Sequence, residues 1–408
     1  MDNNQNQEEL FIPKTKHKFL KILLASLIVI GMAIGGYFIY QSKFNNPNKT
    51  VTKLLEDANT NVDKAFETSS QSGKYKVNGL VKVDGSLPDE MKGIMDLIKQ
   101  LSLQFNGEID LDSKNGLLDL NTKYKDDKLI NIKTVFENND TYIYLEDIFD
   151  KYIKLSNETV TEELPTVEVD VNASKTLVKS LINAFNKELD NHELMKEEAT
   201  ISIDGKDTNV YNNYLVLSDK ELNTFAKGII NNLQNDSNFI EAYKKVTNND
   251  AQEYLKKALE EMNDDFKGTY KISFYTTKGL LKQELVRFSQ EITQEEQKTI
   301  LNVDKINDNE MIISANSSGM EVSIKVKKNN TAVGLNLNLN MMGMVIKLDA
   351  DVNYEKINEI SKVDTSNYVK MDELTEKDAS KIDENLGKNQ NIVKFIEEIQ
   401  KLLTQNEV

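Results

Sequence analysis

Hydrophobic and polar positions follow three patterns along this chain, and the first is a long segment without charge. Residues 22–42 carry no charged side chain, and the sequence from Ile22 to Tyr40 is ILLASLIVIGMAIGGYFIY. As a helix this stretch spans about 28 Å, which matches the hydrocarbon thickness of a bilayer. Aromatic side chains at 37, 38 and 40 suit the interface at its far end. We therefore predict a single transmembrane helix at 22–42.

The charges that flank this segment indicate its orientation. Four lysines lie within 14–21, whereas only Lys43 and Lys49 follow soon after the apolar stretch. The positive-inside rule then makes 1–21 a cytoplasmic tail and places the rest outside the cell membrane. A cleaved signal peptide is the alternative, with a small-residue site at 33–35. Because the apolar stretch continues through Tyr40, we favour an uncleaved anchor.

Two glycines inside the predicted span add a hypothesis about assembly. Gly31 and Gly35 form a GxxxG pattern, which lets two membrane helices approach closely. The pattern suggests a homodimer through these two residues. The alternative interpretation is the ordinary glycine content of membrane spans.

The second and third patterns are helical and strand periodicity. Apolar side chains recur every three or four residues, as in amphipathic helices, over 50–66, 87–101, 177–189, 218–233, 239–246, 251–262 and 392–403. They alternate with polar side chains, as in strands with one buried face, over 74–84, 103–145, 199–217 and 270–352. We predict an α+β fold: a long, curved, mostly antiparallel sheet packed on amphipathic helices.

These patterns also suggest the domain organisation. We predict an extracytoplasmic α+β domain at 44–363, either undivided or in two sub-blocks at 50–165 and 195–355. A C-terminal helical segment follows at 364–408. The clearest alternation lies at 335–340, where leucine and asparagine alternate. This pattern predicts a strand with one buried and one solvent-exposed face.

Local signals predict several turns and helix ends. Asn115-Gly116 is a two-residue hairpin signal, and a second turn is expected at Met342-Gly343. Ser218 followed by Glu221 predicts a capping box, and Ser86 is expected to cap the helix at 87–101.

Composition excludes several kinds of chemistry. The chain has no cysteine and two histidines, and Arg287 is its single arginine. Disulfide scaffolds, thiolate metal sites and cysteine nucleophiles are therefore excluded. The formal net charge of −16 disfavours a nucleic-acid partner. A large exported domain without cysteine suits an envelope in which folding does not depend on oxidation, such as that of many Gram-positive bacteria.

No catalytic signature stands out in the sequence. It contains no Walker loop, dinucleotide fingerprint, HExxH or GxSxG motif. The stretch from Asp110 to Gly116 resembles a calcium loop, but Lys114 occupies a ligand position, so we interpret it as a hairpin turn. We predict that the protein is not an enzyme and carries no catalytic residues, metal or cofactor.

Methionines supply the candidate ligand-binding residues. Their flexible, polarisable side chains suit surfaces that accept variable apolar partners. The alternative for each of them is ordinary core packing. The candidates are Met91 and Met95 on the predicted helix at 87–101, and Met341, Met342 and Met344 at the predicted turn.

The strand pattern resembles a known group of envelope proteins. The meander from Phe105 to Leu155 includes NGEIDLDSKNGLLDLNTKYKDDKLINIKTVFENNDTYIYLED, and 270–352 repeats that style. Both resemble the LolA/LppX-like group, in which a curved antiparallel sheet forms a half-barrel around helices. The resemblance implies uptake of a lipid or another apolar ligand. This chain departs from the group in its size, its predicted anchor and its lack of an acylated cysteine, and in these it resembles uncharacterised anchored Gram-positive proteins.

Two hypotheses about function follow. The first is a membrane-anchored extracytoplasmic protein that binds a lipid or another apolar ligand. The second is an envelope interaction or structural protein without a small-molecule ligand, in which helices simply fill the sheet.

Overall fold

The computed structural model describes residues 46–69, 72–138, 140–155, 170–260, 268–279, 283–294 and 297–405. The predicted tail and transmembrane helix lie outside these residues. Among those described, no helix is long and apolar enough to cross a membrane.

In the described residues, sixteen strands form one hydrogen-bonded sheet. In chain order they are β1 Lys74–Ser86, β2 Leu101–Asp110, β3 Asn115–Tyr124, β4 Asp127–Glu137, β5 Asp140–Leu145, β6 Tyr152–Leu155, β7 Met195–Ile203, β8 Lys206–Ser218, β9 Thr269–Thr277, β10 Leu285–Gln294, β11 Gln297–Asn307, β12 Glu310–Ser317, β13 Met320–Lys328, β14 Ala332–Met341, β15 Met344–Ile357 and β16 Tyr368–Lys370. Their order across the sheet is β16-β6-β5-β4-β3-β2-β1-β15-β14-β13-β12-β11-β10-β9-β8-β7. All pairs are antiparallel except β16 with β6, which confirms the predicted large, mostly antiparallel sheet.

The first strand joins the two strand blocks. β1 pairs with β2 on one side and with β15 on the other, in a register that runs from Lys74 opposite Ile357 to Ser86 opposite Val345. A single ladder therefore connects the early meander, β2 to β6, to the later one, β7 to β15.

Eight α-helices accompany the sheet in the described residues. They are α1 Pro47–Ser69, α2 Lys92–Ile98, α3 Val171–Leu189, α4 Asp219–Gln234, α5 Ser237–Thr247, α6 Ala251–Glu260, α7 Glu376–Lys388 and α8 Gln390–Gln405. The capping box of Ser218 and Glu221 opens α4 as predicted. Asp170 caps α3 by accepting a hydrogen bond from the Ala173 N–H.

The larger core lies between β8–β11 and the helices α1 and α3–α6. The apolar sides of the helices pack on alternate strand positions and on one another. Phe185 of α3 meets Phe225 of α4 edge-on, with ring centroids 5.7 Å apart. On the sheet side, Phe274 and Phe288 lie directly opposite each other on β9 and β10, with centroids 5.2 Å apart. This core fixes one end of the sheet.

A smaller core fixes the other half. Leu97 of α2, Tyr124 of β3 and Leu129 of β4 are buried together, and Phe395 of α8 packs on Tyr124 with ring centroids 5.0 Å apart. A Cβ added at Gly93 would lie 2.5 Å from Leu402 Cδ2, so glycine permits the close crossing of α2 and α8.

Two local predictions are wrong. Asn115 and Gly116 are strand residues of β3, and the hairpin turn lies at 111–114, because Asp110 Oδ1 accepts the N–H groups of Asp112 and Ser113 and closes the turn early. The helix predicted at 87–101 is shorter. Ser86 still pairs in β1 and caps nothing, and a 3₁₀ turn at Asp89–Met91 precedes α2.

Candidate ligand-binding surface

The centre of the sheet has one face that is entirely apolar. Antiparallel partners point the same way, so cross-strand register identifies the face: Val81 lies opposite Ala350, Ala350 opposite Leu335, and Leu335 opposite Val326. We call the alternate side chains of 77–83, 346–352, 333–339 and 322–326 on this side the open apolar face. Every position in it is Val, Leu, Ile, Ala or Gly.

No helix core in the described residues buries this surface. Its side chains are half-buried by their strand neighbours, and Leu335 remains 36% exposed. The larger core ends at β11, with partial contacts to β12, and the smaller core lies over β2–β4. Four strands at about 4.8 Å spacing make a surface about 14 Å across and about 20 Å along the strands. Its area is close to that of the largest apolar patch on a typical soluble monomer, and such patches are often functional.

Three methionines border one end of the open apolar face. Met320 lies opposite Met341, and Met341 opposite Met344, so one side chain from each of β13, β14 and β15 forms a row. Met342 occupies the tip of the hairpin with a φ of +50° and is 86% exposed. The predicted turn at Met342-Gly343 is therefore present, and it presents methionine at the end of the apolar surface.

The two methionines of α2 lie near the same end. Ser86, which ends β1, is paired with Val345, so the segment leading into α2 leaves the sheet beside the methionine row. Met91 is 38% exposed there, whereas Met95 is 3% exposed and belongs to the protein interior. The fold thus brings all five sequence candidates to one end of the sheet. Ligand binding by them stays a prediction.

Met320 is not among the residues predicted from the sequence. Its signal was available, because Met320 continues the alternation of Val322, Ile324 and Val326 on β13. What the sequence lacked was the register that sets Met320 beside Met341.

The opposite face of the sheet is polar and carries a buried carboxylate, Asp304. Arg287 of β10 forms a bidentate ion pair with Asp304 of β11 and donates to the Ser202 carbonyl, 2.8 Å away, at the end of β7. Burial raises the pKa of Asp304, and Arg287 opposes that rise. At the other half of the sheet, hydrogen bonds from Lys128 and Asn131 lower the pKa of Glu146 to about 2.

The arrangement offers no assembled centre for metal chemistry. In the part of the chain that the structure covers, no group of three or more His, Cys, Asp or Glu side chains is placed to hold a metal ion. The chemistry available at the open apolar face is desolvation of an apolar partner, with methionine side chains that adapt to its shape.

Comparison with known proteins identifies distant structural neighbours. No protein-family model matches this chain, and no curated protein matches its sequence. A DUF1329 family protein from Desulfovibrio piger is similar over 75% of this chain and 94% of its own, with 9% identity and a TM-score of 0.20. A double mutant of the vaccine antigen Transferrin Binding Protein B from Haemophilus parasuis is similar over 71% and 77%, with 7% identity and a TM-score of 0.12.

These likenesses carry no argument about function. The relation to the LolA/LppX-like group stays a resemblance of strand pattern. The case for a function therefore depends on the sheet surface itself.

Proposed function

We propose that this protein is held at the outer side of the cell membrane by an N-terminal anchor and binds the acyl chain of a lipid on the open apolar face. The observation that supports this is the uninterrupted apolar surface of β13–β15 and β1, left between two helix cores. The residues that alternate with the apolar ones on the same strands, such as Asn336 and Asn338, are polar and face solvent on the other side of the sheet. These strands therefore differ from core strands, which are apolar on both faces.

The size of the surface suits one acyl chain. Its length of about 20 Å equals an extended chain of about sixteen carbons. If half of each methylene is removed from water, at about 0.8 kcal/mol per fully buried CH₂, the gain is about 6 kcal/mol before the entropy of binding is subtracted. Association costs about 4 kcal/mol or more, so the net gain relative to free lipid in water is at most about 2 kcal/mol and the binding is weak and reversible.

The methionine row offers a route onto the surface. Met320, Met341 and Met344 have unbranched side chains that rearrange more easily than leucine or valine. The described fold begins with α1 at Pro47, five residues after the predicted span ends at 42. A short connection of this kind keeps the domain near the bilayer that supplies the ligand.

Photocrosslinking tests the proposal. The full-length chain is reconstituted in phosphatidylcholine vesicles that contain a diazirine-labelled acyl chain, irradiated, digested and mapped by mass spectrometry. We expect labelled peptides from β13–β15 and β1, with the peptide of 22–42 as an internal reference for contact with the bilayer.

A matched pair of variants on β14 sharpens the test. Leu337→Asp places a carboxylate on the open apolar face, whereas Asn338→Asp places one on the opposite face, one residue further along. Leu337→Asp should reduce the strand labelling at least fivefold, and Asn338→Asp should leave it unchanged. Labelling confined to 22–42 would refute lipid binding and favour the envelope interaction or structural protein.

A further inference from the structure

The polar face carries a second feature, a row of side chains that crosses half of the sheet. The row contains one residue from each of eight consecutive strands. Cross-strand register aligns the first six, Asn353, Asn78, Asn106, Asp119, Lys133 and Tyr144, and the ring contact between Tyr144 and Tyr152 continues the row to Tyr368, which is paired with Tyr152. Seven strand spacings of about 4.8 Å give it a length of about 34 Å. Amides occupy one end of the row and tyrosines the other.

The amide end is a depression in the surface. It encloses about 370 Å³ between β15, β1 and β2, and its lining residues include Asn78, Leu80, Gln104, Asn106, Asp351 and Asn353. Leu80 forms an apolar patch among side chains that both donate and accept hydrogen bonds. The adjacent acceptors Asp119 Oδ1 and Asn121 Oδ1 are buried and receive no hydrogen bond from the residues that the structure describes.

The aromatic end is a cluster of tyrosine rings, and the Lys154 ammonium lies over the ring of Tyr368, 5.5 Å from its centroid. The rings of Tyr144 and Tyr152 lie 5.2 Å apart and tilted by 43°, and Tyr152 is paired with Tyr368 of the edge strand β16. Tyr368 is 43% exposed. Tyr142 supports it from the side, with ring centroids 5.8 Å apart at an angle of 75°.

A crossing segment forms one side of this row. Residues 358–367 connect β15 to the far edge strand β16, and on the way the Ser361 N–H donates to Glu108, two residues along β2 from Asn106. The segment ends where the Asn367 carbonyl accepts the Tyr152 N–H, 3.0 Å away. The segment therefore borders the row on one side, and we call the row together with this border the amide–tyrosine groove.

We propose that the amide–tyrosine groove binds a linear, neutral oligosaccharide. Amides and a carboxylate match vicinal hydroxyl groups, which donate and accept at once, while tyrosine rings and Leu80 match the apolar faces of sugar rings. A hexose in a linear chain is about as long as one strand spacing, so the groove takes about one sugar per strand. Three carboxylates, Asp119, Asp351 and Glu108, stand against one cation of the row, Lys133, and this balance disfavours an anionic polymer.

Calorimetric titration tests this inference on the full-length chain. The protein is held in lauryldimethylamine oxide, a detergent without a sugar headgroup, and titrated with maltohexaose, cellohexaose and chitohexaose, with hexagalacturonate as the anionic comparison. We expect at least one neutral hexasaccharide to bind with a Kd below 1 mM and more tightly than the anion.

Matched variants locate the site. Asn106→Ala and Tyr144→Ala should weaken binding about tenfold, because each removes one contact worth about 1.4 kcal/mol. Asn340→Ala and Tyr214→Ala lie on the same face outside the groove and serve as controls, with circular dichroism to verify folding. Asn353→Ala, at another exposed position, gives a second test if Tyr144→Ala does not fold.

Three results would overturn the inference: no neutral hexasaccharide binds at millimolar concentration, the anion binds better, or groove and control variants bind alike. None of these results bears on lipid binding, because the groove and the open apolar face lie on opposite sides of the sheet.

Discussion

Removing the chain's single arginine should destabilise the fold far more than an ordinary surface substitution. Arg287 and Asp304 are paired across β10 and β11, and the Asp304 side chain is 6% exposed. The guanidinium also holds the Ser202 carbonyl, so that one side chain ties the β7–β8 hairpin to the polar face.

The expected loss of unfolding free energy follows from the groups that the substitution leaves without a partner. Arg287→Ala leaves a buried carboxylate without its cation and a carbonyl without its donor, which together cost about 3–5 kcal/mol of unfolding free energy. Arg287→Lys keeps the charge but loses the two-pronged geometry, so its cost should be intermediate. The double variant Arg287→Met with Asp304→Leu removes both charges and should recover most of the loss.

The cost should also depend on pH. Burial raises the pKa of the Asp304 carboxyl, and loss of Arg287 removes the group that opposes this rise. A carboxyl whose pKa is higher in the folded state than in the unfolded state stabilises the fold as the pH falls through the folded value. The difference between wild type and Arg287→Ala should therefore shrink from pH 7 toward pH 4.

Urea unfolding of residues 44–408, followed by circular dichroism, measures these differences, and hydrogen exchange at 201–207 reports on the hairpin. Faster exchange there is expected in Arg287→Ala and in the double variant, because both lose the donor to the Ser202 carbonyl. A cost below about 1 kcal/mol, or a double variant no more stable than Arg287→Ala, would refute the reasoning.

Four further predictions concern single positions. Hydrogen bonding by Lys128 depresses the pKa of Glu146 to about 2, so its stabilisation is present above pH 4.5 and is lost toward pH 2. Between pH 5 and pH 3, the unfolding free energy measured in urea should fall by about 1–2 kcal/mol less in Glu146→Gln than in the wild type. An equal fall in both proteins would contradict this prediction. Ser218→Ala should cost about 1 kcal/mol through loss of the capping box of α4, measured by the same unfolding. Met344→Asp should reduce the amount of lipid extracted from the protein and measured by mass spectrometry, without lowering the unfolding midpoint. An unchanged amount of lipid would show that the methionine row takes no part in lipid binding. Protease added to cells without their wall should digest the chain after Lys43 and spare the predicted cytoplasmic tail at 1–21. Protection of the C-terminal helix would contradict the predicted orientation.

Much of the sheet could be predicted because strand alternation is a local property. The leucines and asparagines of β14 reveal two faces without knowledge of any neighbour, and Ser218 with Glu221 reveals the start of α4. The hairpin at 111–114 was misplaced because the Asp110 side chain, which closes the turn, competes with the stronger Asn-Gly signal.

The candidate surfaces were harder to predict because they depend on which strands become neighbours. β1 and β15 are adjacent only in the fold, so neither the joined apolar face nor the polar row is visible along the chain. Tyr368 likewise joins Tyr144 and Tyr152 only when β16 adds to β6 as a parallel edge.

The ladder between β1 and β15 has a consequence for how the protein is made. Asn78 and Asn353, which face each other across it, are 275 positions apart. At about 5–20 residues per second, ribosomes need about 15–55 s to add that much chain. Throughout this interval one edge of β1 has no partner strand, and unpaired edges invite association between chains. Completion of the sheet therefore depends on an edge strand that stays unpaired until β15 is made, and arrest of synthesis before β15 should yield aggregation-prone fragments.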